Sequence, residues 1–510
     1  MTLTQNTRTI SFRPLEISDF LPELDGLFET LNEQEIRYCH WKSNVRLDQS
    51  LMGKTDLDLL IDPADADRFE TLLAARKIKR ILAPAGKEYP GLEHYLGFDA
   101  LTGRLFHLHV HYKLVLGEQF VKNYHLPLEK IFLDSVYLRL GVKIPIPELE
   151  LIVLTLRALL KYRDRDVVKD VLGIRSPGIP QHILDEFDWL LGQASLDSVA
   201  STLATLPTPL PSEAILEFLK IITSEPRSGM NLFRLRSQVQ RALTTHQRQE
   251  RIWATAKYLQ ELWRRRSGWR LAPEQKMTLP GRGLTIALVG VDGSGKSTMS
   301  KEVSQWLRWK LETPLYYLGS KEPSLRSKWL YTFFRMARRT QRELSLRIGK
   351  ENPISKLLTE IRQALLYCHH LSIGHDRLQR YLLSQKKVKA GAVVIFDRFP
   401  FKSPLDGPEI PLVSVGFNRF LSGFFSRQEK AIYQRFGFPD FLILLDVSPH
   451  VSLQRKPDHS AETIAAKKHA LDLLQKELSD VPGKNWETVD ADADYATVLL
   501  QIKHLIWAQL

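Results

Sequence analysis

Cysteine is nearly absent, with only Cys39 and Cys368 in 510 residues. Two cysteines so far apart supply neither a disulfide framework nor a cysteine-based zinc site. Long apolar runs are missing too, since no stretch approaches the roughly 20 residues that a membrane span needs. The opening MTLTQNTRTISFRPLE lacks the charged and apolar blocks of a secretory signal, so a cytoplasmic location is expected. There is no internal repeat and no low-complexity tract. No Asn-Lys-x-Asp guanine signature occurs, which argues against a GTPase switch. What remains is an ordinary globular mixture, 44% hydrophobic and 25% charged, long enough for roughly two to four domains.

The formal charge of +13 is concentrated in two places. Glu225 to Gly283 carries 13 Lys/Arg against 4 Asp/Glu, Leu325 to Lys350 carries 8 against 1, and the remainder is mildly acidic. Both segments read as helices with interleaved aromatics, RIWATAKYLQELWRRRSGW and RSKWLYTFFRMARRTQREL. Such a helix can meet a polyanion or an anionic membrane surface. The plainer reading is a solvated basic face with Trp and Phe in the core. No recognised nucleic-acid-binding fold accompanies the charge, which argues against nucleic acid as a partner. A homo-oligomer is compatible with the sequence.

The most informative stretch is Leu284 to Met299, LTIALVGVDGSGKSTM. It matches G-x-x-x-x-G-K-[ST] at Gly290, Gly295, Lys296 and Ser297, with an apolar strand before it and an amphipathic helix after it. Gly293 and Gly295 let the backbone curl so that successive N–H groups, with those of Asp292, Ser294 and Thr298 around them, point at phosphate oxygens. Lys296 then reaches the β- and γ-phosphates and Ser297 can hold Mg²⁺. ATP and Mg²⁺ are the expected cofactors.

Organisation follows from pattern changes along the chain. Residues 1–147 mix strands and helices: LDLLID after Thr55, a helix DADRFETLLAARK, then short strands at KRILAP and RLFHLHVHYKL. Residues 148–280 read as a helical, basic connector beginning ELELIVLTLRALLKYRDRDVVKDVL, and APEQKMTLPGRG reads as a linker. Residues 281–510 alternate strand and helix, as in an α/β doubly wound parallel sheet. There AVVIFDRF puts Asp397 and Arg398 at the end of an apolar strand, from which a side chain reaches ligands at the carboxyl edge. Asp446 also ends an apolar strand, where capping the turn is its expected task.

Residues 284 to 480 resemble the thymidylate kinase family of nucleoside monophosphate kinases. The resemblance rests on GVDGSGKST, KEP at Lys321 to Pro323, HDRLQ around Arg377, DRF at Asp397 to Phe399, and PDFLILLDVSPHVSLQRK. It implies that Asp292 accepts a substrate hydroxyl, Arg398 holds the acceptor phosphate, Arg377 contacts the acceptor's head group, and Asp397 positions Mg²⁺ or substrate. With no Arg in the loop itself, the stabilising arginine is expected from a lid, with Arg455 first and Lys456 second. Phe399 stands where the family has Tyr, and Asp406, Gly407 and Pro408 form an unfamiliar loop. These departures argue against thymidine monophosphate and resemble divergent thymidylate-kinase-like proteins of bacterial polysaccharide or natural-product pathways.

In the first part, Asp56 and Asp58 lie two apart on a strand, so both carboxylates share a face and can share a divalent metal. With Lys42, Ser43, Asn44 and Gly53 ahead of them, they resemble the nucleotidyltransferase-like superfamily. In that pattern His109 stands where a third carboxylate belongs, and His111 matches the family His. His107, His109 and His111 share one face by period-two alternation and can ligate a metal with Asp56 and Asp58.

The expected whole is an ATP- and Mg²⁺-dependent phosphotransferase acting on a phosphorylated or anionic small molecule, with a nucleotidyltransferase-like module. Two alternatives are a bifunctional nucleotidyltransferase and kinase, and a nucleotide-gated interaction protein.

Overall fold

The computed structural model describes the chain apart from residues 1–18, 85–86, 118–120, 163–178, 224–228, 267–275, 320, 350, 402–404, 406, 412–417, 458–459 and 481. Asp406, and the stretch RDRDVVKDVL expected to continue a helix, lie outside the described residues. The chain divides into two compact units, Met1–Gln275 and Lys276–Leu510.

The first unit is built on a mixed sheet of β1 (Tyr38–His40), β2 (Leu57–Ile61), β3 (Lys79–Ile81), β4 (Leu92–Asp99) and β5 (Arg104–His111), in the order β1-β2-β5-β4-β3. Only β2 and β5 run parallel; their register sets Asp58 opposite His109. Alternation then sorts the faces. Leu57, Leu59, Ile61, Phe106, Leu108 and Val110 enter a core with α1 (Pro22–Glu33) and α2 (Ala66–Ala75). The opposite face carries the acidic pair and the histidines.

Helices follow: α3 (Pro147–Lys161), α4 (Gln181–Leu191), α5 (Leu196–Thr205), α6 (Ser212–Ile222) and α7 (Gly229–Ala242). The expected connector is not separate from the strands before it. Trp41, Leu60, Leu114 and Leu126 share one core with Leu151, Ile152 and Val153 of α3, and with Phe187, Phe218 and Leu235. α3 drives this merger, because apolar residues cover nearly its whole circumference and it can be stable only when surrounded.

The second unit is a five-stranded parallel sheet of β10 (Thr285–Gly290), β11 (Leu315–Tyr317), β12 (Val394–Asp397), β13 (Phe441–Asp446) and β14 (Trp486–Asp490), ordered β11-β12-β10-β13-β14; the intervening β6–β9 (Leu114–Leu116, Tyr124–Leu126, Val136–Arg139, Val142–Pro145) form two hairpins of the first unit. Every residue of β10 is buried, as a central parallel strand covered on both faces must be. Its start is pinned by Asp440, which accepts from Thr285 N (2.7 Å) and Oγ1 (2.8 Å). The chain order reverses on either side of β10, so a crevice opens at its carboxyl end.

The two basic helices, α8 (Arg251–Arg266) and, after α9 (Lys296–Leu307), α10 (Leu325–Ile348), differ from the core-facing expectation. Trp263 is 71% exposed on the first, and Trp329 is 63% exposed on the second. Leu325, Trp329, Phe333 and Met336, all exposed, recur at helical spacing along one stripe of α10. Its inward face packs instead on α11 (Pro353–Lys389), where Ser327 meets Ser372 (2.8 Å). Among the described residues, no helix is long and apolar enough to cross a membrane.

Candidate functional site

At the crevice, β10 hands over to the loop 291–295 and then to α9. Gly293 and Gly295 have φ of +86° and +85°, a conformation in which a β-carbon is strained. Gly293 has a second reason to be glycine: a Cβ there would lie 2.9 Å from the Ser452 carbonyl. The helix carrying Ser452, α13 (Pro449–Arg455), lies over the loop, after α12 (Asn418–Tyr433) and β13. Ser452 Oγ donates to the Asp292 carbonyl (2.5 Å). Lys296, nearly buried, donates from Nζ to the Val291 carbonyl (2.6 Å). Ser297 and Thr298 stand on the first turn of α9, whereas Ser294 is buried and its Oγ has no hydrogen-bond partner among the described residues. The loop runs into the N-terminus of α9, the kind of helix start at which anions bind, and its Ser294 N–H donates to the Val291 carbonyl (3.2 Å).

Charge gathers on one side of this cradle. Asp292 accepts from Arg398 Nη2 (3.2 Å) and from Lys467 Nζ. Burial alone would raise the Asp292 carboxyl, but the Lys467 hydrogen bond and the charges of Lys296, Lys467 and Arg398 outweigh it and bring it to about 2. Arg398 adopts φ +66°, strained for a residue with a side chain. Gly319 gives its side chain room: a Cβ at Gly319 would lie 2.7 Å from Arg398 Cδ. Asp397, one residue earlier at the end of β12, is buried and its Oδ1 has no hydrogen-bond partner among the described residues.

Farther out, Arg377 is fully buried on α11, not on its surface. It donates to the Tyr433 hydroxyl and lies 3.9 Å from Glu409. The Glu409 carboxyl is held below its usual range by the His370 hydrogen bond and, against burial, by the charges of His370 and Arg377. Glu429, buried on α12, accepts from the backbone N–H groups of Glu409 (3.1 Å) and Ile410 (2.9 Å), latching the segment that follows Gly407 and Pro408. Phe399 is buried among the rings of Tyr381, Phe396, Phe401 and Phe436.

Two expected roles change. Arg455 donates to the carbonyls of Ala491 (2.9 Å) and, at 3.5 Å, Gly293, so it ties the phosphate loop to the segment after β14. Lys456 is exposed beside it. Asp446 does not cap the next turn; Ser448 does, accepting from Val451 N (3.4 Å), while Asp446 accepts from Lys468 Nζ (2.6 Å). Beside Arg398, a second cation reaches Asp292: Lys467, on α14 (Ala461–Ser479). Sequence reasoning missed it, although KKHAL offered two lysines on the segment read as a lid. It also missed Arg380, which contacts Glu322 of the Lys-Glu-Pro turn at 3.7 Å.

In the first unit, Asp58 meets Lys42 Nζ (2.8 Å), His109 Nδ1 (3.3 Å) and His111 Nε2 (3.4 Å). Burial would raise its carboxyl, yet Lys42 and the two histidine hydrogen bonds hold it well below the usual range. Asp56 meets His107 Nδ1 (3.0 Å) and, at 3.7 Å, His109 Nε2. His94, on a strand that sequence reading passed over, pairs with His109 across β4 and β5. Ser43, in the left-handed region, donates its N–H to Glu186 (3.1 Å), and Asn44 donates to Glu150 through backbone and amide. Lys122 and Lys161, both pushed down to about 8 by burial, bring further positive charge toward Lys42 and Asp58.

No protein-family model matches the chain. An uncharacterized ATP-binding protein, YghR, of Escherichia coli (strain K12) is 25% identical over 236 residues, which cover 43% of this chain and 86% of that protein. A probable thymidylate kinase 2 of Saccharolobus solfataricus is 27% identical over 174 residues, 34% of this chain and 64% of the relative. A solved deoxyadenosine kinase of M. mycoides with bound dATP aligns with 44% of this chain and 98% of its own at 18% identity and TM-score 0.26. The two sequence relatives, each matching less than half of this chain, support a P-loop kinase-like region within it.

Proposed function

We propose that the second unit is an ATP-dependent phosphotransferase whose acceptor is a phosphorylated or otherwise anionic small molecule. The observation that carries this reading is the convergence of Arg398 and Lys467 on Asp292, beside a phosphate cradle at the switch point of a parallel sheet. The names of the sequence relatives, an ATP-binding protein and a probable thymidylate kinase, agree with it. Loop N–H groups and Lys296 hold the donor phosphates. Arg398 holds the acceptor's anionic group and Asp292 accepts a hydrogen bond from its hydroxyl. As an oxygen of the acceptor's anionic group bonds to the terminal phosphorus, the bond to the bridging oxygen breaks, ADP leaves with that electron pair, and negative charge spreads over the equatorial oxygens. Lys467 is the cation placed to meet that charge, in the role expected of Arg455.

Mg²⁺ fits the donors present. The Ser297 hydroxyl and the buried Oδ1 of Asp397, which has no hydrogen-bond partner among the described residues, are hard oxygen ligands of the kind it takes. When bound, it neutralises phosphate charge.

The test is phosphorylation of a panel of nucleoside monophosphates, sugars and sugar phosphates with labelled ATP, using Lys296→Ala as the control. Transfer to an anionic acceptor that is lost in Lys296→Ala supports the reading, and undiminished turnover in that variant overturns it. Thymidine monophosphate is expected to be poor. Its turnover at about 1 s⁻¹ or faster would restore a plain thymidylate kinase.

Residues 1–147, within the first unit, are proposed as a nucleotidyltransferase-like module. Its support is the parallel pairing of the Asp-x-Asp strand with the histidine strand and the lysines around Asp58. Activity of this module as well would make the protein bifunctional.

A further inference from the structure

The histidine face of the first unit is organised around residues that the acidic pair alone does not account for. His94, His107 and His109 each present a ring nitrogen, and these atoms all lie within 4.8 Å of one another. His94 and His107 stack at 5.4 Å with an interplanar angle of 7°, and His109 stands edge-on to both at 4.8 and 4.5 Å. Three imidazoles from adjacent strands therefore converge. The buried Nδ1 of His94 has no hydrogen-bond partner among the described residues.

We propose that His94, His107 and His109 form a binding site for a zinc-class divalent transition ion. The inference stands on the imidazole geometry and not on the nucleotidyltransferase likeness. Imidazole nitrogen suits zinc, nickel, copper and iron, whereas magnesium, calcium and manganese take oxygen. Ligating histidines commonly have the other ring nitrogen held by a carboxylate, which fixes tautomer and orientation. Both halves of that arrangement are present: Asp56 holds His107 Nδ1 at 3.0 Å and Asp58 holds His109 Nδ1 at 3.3 Å. Asp56 and Asp58 are thus positioning residues.

Charge decides where the ion sits. Lys42 Nζ lies 2.8 Å from Asp58 Oδ1, and a second cation on that oxygen would face its repulsion. His111, 3.4 Å from the same oxygen, belongs to the Lys42 side. The ion is drawn instead toward His94, away from the ammonium. Three nitrogen ligands leave a fourth position, and His109 and Asp56, 24% and 28% exposed, stand on its open side. A site with three protein ligands and one open position can take water or a ligand oxygen.

The experiment uses the full chain, stripped with a chelator and kept in millimolar Mg²⁺ so that oxygen-rich sites are occupied. Zn²⁺ is titrated against a chromophoric chelator, and Co²⁺ is added separately to read its visible absorption. One Zn²⁺ per chain, a Co²⁺ spectrum of low coordination number, and a rise in melting temperature with Zn²⁺ are expected. His94→Gln and His109→Gln should lose the site. His111→Gln should keep it, and Asp56→Asn should weaken it by about 10- to 100-fold. His109 is the most exposed of the three histidines, so its variant tests the site even if His94→Gln fails to fold. No Zn²⁺ bound in the presence of Mg²⁺, wild-type binding by His109→Gln, or loss in His111→Gln equal to that in His109→Gln would each overturn the assignment.

Discussion

Lys467 and Asp292 are 175 residues apart in the chain, yet the lysine ammonium lies directly on the aspartate carboxylate of the phosphate loop. This pairing brings a cation from α14 to the loop and, with Lys296 and Arg398, holds down the pKa of an acid that burial pushes up.

Removing that ammonium has a defined sign. In the wild type Asp292 stays ionised down to about pH 2, below its ordinary value of 3.8. Its pairing therefore contributes stability above about pH 4 that is lost as pH falls through about 2. Lys467→Met deletes the largest lowering influence, while burial and the charges of Lys296 and Arg398 remain, so the carboxyl protonates at a higher pH. The acidic limb of the kcat/KM profile should shift upward, with turnover lower by about 10²-fold or more at neutral pH. An unshifted limb would remove Asp292 from the reacting complex.

Arg398→Ala tests the acceptor side alone. The acceptor KM is expected to rise about tenfold or more, and ATP affinity, measured by direct binding, should hold. A matched loss of ATP affinity would move Arg398 to the donor side.

Arg455→Ala should behave as a scaffold change. Its guanidinium serves the carbonyls of Ala491 and Gly293, so ATP affinity and melting temperature should both fall. A loss confined to kcat, with affinity and stability unchanged, would return Arg455 to the transition state.

Phe399→Tyr inserts a hydroxyl into a buried aromatic cluster. Without a partner it should cost about 1 to 3 kcal/mol, read as a lower denaturation midpoint. The variant should gain no turnover of thymidine monophosphate.

What could be read from the sequence was what spacing encodes. The phosphate loop and the Asp397–Arg398 strand end depend on a few consecutive residues, and the Asp-x-Asp and His-x-His-x-His faces depend on period-two alternation. Lys467 and His94 could not be read that way. Lys467 reaches Asp292 only because α13 and α14 fold over the loop, and His94 joins His109 only through the register of β4 against β5. The exposed Trp329 stripe was ambiguous for another reason, because helical periodicity groups residues on one face without saying whether that face is covered. The connector merged with the first unit because α3 is apolar nearly all round, a feature visible in its sequence but read as a separate helical segment.

The position of β10 has a mechanical consequence. Hydrogen-bonded to β12 on one side and β13 on the other and buried throughout, it can lose its amide protons to solvent only when the sheet itself opens. α14, which supplies Lys467, buries only Ile464, Leu471 and Leu478. Helices held by so few contacts open at lower free energy than central strands. Under mild denaturant the floor of the cradle should outlast its cationic rim, leaving a species whose β10 amides resist exchange after Lys467 has come away from Asp292.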